Sequence, residues 1–166
     1  MASERHPRAG EVMLRDVIDD DLPIFFEHQL DPESNRLVGF APRDENAFAA
    51  HWIKIRADAT VVKRTILYDG DVAGYAVSFE RFGEREVGYW LGKEFWGKGI
   101  ATRALQQFLH HVEARPLCAR VAKHNIASLR VLQKCGFAIV GERTFTSAGG
   151  EDCIEYVLSL GGKEPS

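Results

Sequence analysis

A chain of 166 residues, 45% hydrophobic and 27% charged, has the size and make-up of one globular domain and excludes wholesale disorder. Its net charge of −3 gives no general attraction for nucleic acid, and no apolar run approaches the ~20 residues needed to cross a bilayer. Cys118, Cys135 and Cys153 are too few and too widely spaced for a disulfide framework or a paired metal site, and the histidines form no cluster, so the expectation is a cytoplasmic protein with no metal, nucleic-acid or membrane partner.

Along the chain, residues 1–10 and 161–166 are polar and rich in Pro and Gly, so both ends are expected to be flexible arms around a single domain of 11–160. Glu11 to Val17 reads as a strand. Asp19 to Asp21 offer capping carboxylates ahead of Leu22, Ile24, Phe25, Phe26 and Leu30, with Pro23 in a first helical turn. A loop containing Pro32 and Pro42 leads to a second helix, capped by Asp44, in which Phe48, His51, Trp52 and Ile55 recur at helical spacing. Val61–Tyr68, Val72–Glu80 and Glu84–Leu91 are β-branched and aromatic, and the pairs Asp69-Gly70 and Phe82-Gly83 close them into an antiparallel meander. From Gly99 the period becomes helical, with Ile100, Ala101, Ala104, Leu105, Phe108, Leu109 and Val112 on one stripe that Pro116 ends. Leu117–Ala122 is a strand, Asn125–Lys134 a shorter helix ending at Gly136, and Phe137–Phe145 with Asp152–Leu160 form a last hairpin. The class is α+β with a mixed, mostly antiparallel sheet.

The segment that carries chemistry is Trp96-Gly97-Lys98-Gly99-Ile100-Ala101, followed by Thr102, between a strand and an amphipathic helix. Two glycines allow a sharp turn that aims the unpaired N–H groups of the first helical turn outward, and a diphosphate placed there gains backbone hydrogen bonds and the favourable end of the helix dipole. Gly92, Gly97 and Lys98 match the glycines and lysine of a nucleotide P-loop, but Gly99 stands where that loop needs a magnesium-binding Ser or Thr. A dinucleotide fingerprint fails as well, because Thr102 replaces its third glycine and no βαβ unit surrounds it. A glycine turn without any ligand is the remaining alternative.

The turn from Trp96 to Ala101 resembles the cofactor loop Q/R-x-x-G-x-G/A of the GNAT acetyltransferases. Gly88-Tyr89-Trp90-Leu91, and Asn125-x-x-Ser128 leading to Lys134-Cys135-Gly136-Phe137, resemble the ribosomal-protein N-acetyltransferase branch of that superfamily, and the order of elements agrees over most of the chain. The resemblance implies a three-layer fold around about seven strands, and transfer of an acetyl group from acetyl-CoA directly to a primary amine. It also implies that the fourth and fifth strands splay at Gly88–Leu91 to admit the pantetheine arm. Tyr89, Trp90, Leu91, Trp96, Gly97, Lys98, Gly99, Ile100, Ala101, Thr102, Asn125 and Ser128 become the expected coenzyme contacts. Trp96 departs from the usual Gln or Arg, and Leu132 takes the place of the tyrosine that many relatives use to protonate the departing thiolate. The resemblance assigns that role to Ser128, whose alternative is an ordinary helix residue.

For the general base the first choice is Glu86, two residues before Gly88 on the strand expected to face the thioester; the alternative is a solvent-facing strand glutamate. The acceptor pocket is expected between the first two helices and the last hairpin. There Glu27, Asp31 and Glu33 either attract a cationic amine or form a solvated face, and Phe40, Trp52 and Tyr89 read as core before ligand contacts; Cys135, beside a helix-ending glycine, reads as structural, its alternative being to take the acetyl group as a thioester. Acceptors considered are a peptide N-terminus or a small amine, and the assembly a monomer or homodimer. Two other functions fit the same turn: a coenzyme A-binding regulator without catalysis, and a transferase for a larger acyl group such as succinyl.

Overall fold

The computed structural model describes residues 10–39 and 41–161; the outer parts of the two expected arms, and Phe40, lie outside them. In chain order the elements are β1 Val12–Arg15, α1 Asp21–Gln29, α2 Pro32–Val38, α3 Glu45–Ala57, β2 Val62–Tyr68, β3 Asp71–Arg81, β4 Glu84–Leu91, α4 Ile100–Leu109, β5 Leu117–Ala122, α5 Ile126–Lys134, β6 Ala138–Thr146 and β7 Asp152–Leu160. The strands form one seven-stranded sheet in the order β1-β2-β3-β4-β5-β7-β6. Only β4 and β5 pair in parallel; every other neighbour is antiparallel.

The two tight turns form as their residues require. Asp69 and Gly70 adopt φ of 51° and 86°, and Phe82 and Gly83 adopt 54° and 77°, so both central positions of each turn are left-handed, the twist that suits a two-residue hairpin.

Helices cover both faces, giving three layers. On one face α4 buries Ile100, Ala104, Leu105 and Phe108, a stripe with helical spacing, against Ile66, Ala73 and Val87 of the sheet and Leu132 of α5. On the other, Phe25 of α1 and Phe48 and Trp52 of α3 pack against Tyr75 and Val77 of β3. Trp52 is 1% exposed, and its ring lies 4.9 Å from that of Tyr75 in an edge-on contact, so it is core, as its helical spacing indicates.

Three expectations about elements need correction. The stretch after Pro32, read as a loop, is the helix α2: Asp31 accepts a hydrogen bond from the Ser34 N–H, Pro32 occupies the first turn where its missing donor costs nothing, and Gly39 closes the helix at φ 81°. The acidic run before α1 supplies no side-chain cap at Asp20. Asp21 instead turns inward, 1% exposed, where it accepts from Arg15, from the Ile18 N–H and from Thr65, tying β1 and β2 to the helix start. Finally, α4 stops at Leu109, and Val112 is buried in the turn that follows it.

Candidate active site

The sheet opens at its centre. β4 and β5 are paired only at Arg85 with Leu117 and Glu86 with Cys118, although β4 continues to Leu91 and β5 to Ala122, where it pairs with β7 instead. Past Glu86 the two strands diverge, which is the splay expected at Gly88–Leu91. A cleft of about 670 Å³ fills the gap, and the edge of β4 that faces it, from Val87 on, has no strand partner.

At one end of the cleft lies the glycine turn. The Trp96 indole donates to the Leu91 carbonyl at 3.0 Å, stapling the turn to the end of β4. Gly97 and Gly99 adopt φ of 75° and 73°, and a Cβ on either would meet nothing within 4 Å, so glycine is required here by the left-handed backbone and not by crowding. Gly99 starts α4 without any side-chain cap, and the first helical hydrogen bond runs from the Arg103 N–H to the Gly99 carbonyl. The amides of Ile100, Ala101 and Thr102 therefore precede the ladder and are open to an anion. Every expected coenzyme contact lines the cleft except Lys98, whose ammonium sits 5.7 Å over the Tyr68 ring.

Along the α5 wall, Asn125 caps the helix by accepting from the Ser128 N–H at 3.3 Å, the role its position predicts. The Ser128 hydroxyl lies 2.9 Å from the Tyr89 hydroxyl, joining α5 to β4 across the opening. Burial pushes the Tyr89 phenol up to about 12, with the Ser128 bond opposing in part, so Tyr89 is a neutral donor at any ordinary pH. Leu132, one turn further along α5, is 3% exposed within the core and offers no proton. Cys135 caps the end of α5 with its thiol 3.7 Å from the Thr102 carbonyl, and burial raises its pKa, both unfavourable to a nucleophile.

The opposite face of the opening is lined by charges, of which the sequence reading named Glu86 and missed Arg81, Arg120, Arg143 and Glu155. Glu86 is 7% exposed and so is not a solvent-facing strand residue. Its Oε1 accepts from Arg120 Nε at 2.9 Å, its Oε2 lies 3.7 Å from Arg81, and Arg120 reaches on to Glu155 at 3.5 Å. Arg143 of β6 lines the same cleft. A signal was available: Arg120 interrupts an otherwise apolar strand, and its register partner across β7 is Val157, two residues from Glu155. Of the acidic residues considered near the acceptor side, Asp31 caps α2, Glu33 pairs with Lys93 at 2.7 Å, and Glu27 is exposed on α1.

A sheet that splays between two parallel strands beside an uncapped helix start is the architecture of an acetyltransferase domain. Residues 11–138 match the family described as Acetyltransferase (GNAT) domain, and the chain belongs to that family. It is 25% identical over 156 residues to an uncharacterized N-acetyltransferase, p20, of Bacillus licheniformis, covering 85% of this chain and 87% of the relative. It is also 30% identical over 118 residues to a Bacillus subtilis (strain 168) protein provisionally named a ribosomal N-acetyltransferase, covering 64% of each. Among solved structures, the aminoglycoside acetyltransferase AAC(6')-Ib, in complex with paromomycin and acetyl-CoA, superposes with a TM-score of 0.72 at 21% identity, over 90% of this chain and 93% of that one.

Proposed function

We propose that the protein transfers an acetyl group from acetyl-CoA directly to a primary amine. The observation that carries this reading is the continuity of one cleft from an open, glycine-flanked helix start to the unpaired edge of β4. Acetyl-CoA suits the residues present: the amides of Ile100, Ala101 and Thr102 would hold its diphosphate, and Asn125 and the β4 edge its pantetheine arm. When bound it supplies an activated carbonyl.

The remaining chemistry belongs to the chain. Backbone N–H groups of β4 that point away from β3 offer hydrogen bonds to an oxygen that gains negative charge, an effect strong in a water-poor site. Glu86 accepts the amine's proton through a water at Oε2, since Oε1 is already occupied by Arg120. Ser128 hands a proton to the departing sulfur; its hydroxyl and that of Tyr89 share a hydrogen bond that either can donate, and with Tyr89 as the donor the serine's own hydrogen is free to point into the cleft. Holding both reactants in register is the largest contribution expected, up to about 7–11 kcal/mol when geometry is near ideal.

A second reading, a coenzyme A-binding regulator, is favoured by the buried Leu132 and by the arginines around Glu86. Calorimetry with acetyl-CoA followed by thiol release over an amine panel, with products identified by mass spectrometry, separates the two. Binding with amine-dependent thiol release supports transfer; binding without release on any amine supports the regulator; no binding removes both. Competition between acetyl-CoA and succinyl-CoA in the same assay tests the acyl group.

A further inference from the structure

The far end of the cleft holds an excess of guanidinium. Arg81, Arg120 and Arg143 come from three different strands, and their guanidinium carbons lie 5.1, 5.9 and 5.9 Å from the centre of one ring, that of Phe82. Facing them in the cleft are two carboxylates, Glu86 and Glu155, and Arg120 is bonded to both. Arg81 reaches Glu86 only at 3.7 Å, and Arg143 has no carboxylate within ion-pair distance among the described residues. Glu84, the next acidic residue on this face of β4, is outside the cleft lining and accepts from the Cys118 thiol at 3.3 Å. Glu84 stands opposite Arg81 and Glu155 opposite Arg143 in the strand register, yet Glu84 turns to the Cys118 thiol and Glu155 to Arg120, so the guanidinium of Arg143, beside a 74% exposed Phe82, is left without an ion pair among the described residues.

The position of this group is as informative as its charge. Glu84, Glu86, Gly88 and Trp90 alternate onto one face of β4, with the sheet opening just past Glu86 and the glycine turn beyond Leu91. At about 3.3 Å per residue, the start of β4 beside the Phe82 turn lies roughly 7 and 13 Å along the strand from Glu86 and Gly88, so the arginines gather around Glu86 on the side away from the diphosphate cradle. Coenzyme phosphates at the cradle are therefore not their counter-ion.

Building on the transfer reading above, we infer that the amine acceptor also carries a carboxylate, which docks on Arg143 and Arg81 while its amine reaches Glu86. A planar guanidinium fork accepts a carboxylate in two parallel hydrogen bonds, and Arg143 is the fork with none to lose. A polycation would meet the same arginines as repulsion, with every cleft carboxylate already engaged.

The test compares acceptors that differ by one charge: a tripeptide amide beginning with Glu against its Gln counterpart, and glutamate against glutamine, with an aminoglycoside and a polyamine as cationic controls. The expected result is a kcat/KM ratio of acid to amide of about 10 or more, from charge-assisted hydrogen bonds. That ratio should collapse toward unity in Arg143→Gln and invert in Arg143→Glu. Lys123→Gln, which removes a cation paired with Glu142 outside the cleft lining, should keep it. Equal rates for acid and amide, a preference for the cationic controls, or a preference surviving in Arg143→Gln overturns the inference while leaving transfer intact. Calorimetry of the same pairs on the coenzyme A complex covers the other case: Arg143-dependent binding of the acids without turnover keeps the anion site and removes the transfer reading, and no such binding removes the site.

Discussion

The two ends of the cleft are built from different materials. The glycine turn is backbone: six consecutive residues whose φ angles and uncapped amides make the site, with Trp96 and Leu91 tying it down. The far end is side chains brought together from β3, β4, β5, β6 and β7, none adjacent in sequence except at the Phe82 turn. A local site of the first kind tolerates changes in its side chains and fails on changes in backbone freedom; a convergent one does the reverse. That difference orders the expected effects of substitution.

The largest lies at the convergent end. Arg120→Ala leaves Glu86 and Glu155 without their shared partner, and Glu86 is buried, so a stability loss of about 3–5 kcal/mol is expected in urea unfolding. A loss under about 1 kcal/mol would show that the network is solvated and that the contrast between the two ends is overstated. Next comes Glu86→Gln, which keeps an acceptor for Arg120 but cannot take a proton. A fall in kcat of about 100-fold, with KM for acetyl-CoA changed less than about twofold, is the expected split for a base acting at the acceptor end. Unchanged turnover removes Glu86 from the mechanism.

At the local end, Gly99→Ala places a side chain where φ is 73° and nothing is within 4 Å, so only the backbone resists. The left-handed conformation costs about 1–2 kcal/mol for a residue with a Cβ, which predicts acetyl-CoA binding weaker by roughly 5- to 30-fold in calorimetry. Lys98→Ala, by contrast, should bind acetyl-CoA almost normally, because its ammonium lies over Tyr68 and not in the cleft.

The same contrast explains what the sequence made legible. The strands, the two hairpin turns, the α4 stripe and the glycine turn are all local patterns, and each appears where its residues placed it. α2 was missed because Pro32 was read as a loop former, when Asp31-Pro32 followed by Ser34 is a capped helix start. Glu86 was correctly brought to the cleft, yet its arginine partners lie 34 residues along the chain at Arg120 and on the neighbouring strand at Arg81. Pairing across such a separation depends on strand order, and the order places β7, not β6, beside β5. No periodicity in the chain encodes that choice.

The smallest expected loss of activity probes the hydrogen bond that joins β4 to α5 across the opening. Tyr89 and Ser128 belong to β4 and α5, and their hydroxyls meet at 2.9 Å. Tyr89→Phe removes that contact while keeping the ring in the core, so a change of about 0.5–1.5 kcal/mol, roughly 2- to 12-fold, is expected in kcat. Because burial holds the Tyr89 phenol near 12, its ionisation leaves no inflection in the wild-type pH profile below about pH 10, and the variant should lower that profile without shifting it. If Tyr89 acts only by orienting Ser128, the same substitution in a Ser128→Ala background costs nothing further, since there is no hydroxyl left to orient. Equal losses in both backgrounds would instead assign the tyrosine to packing, and the proton for the departing sulfur would have to come from water in the cleft.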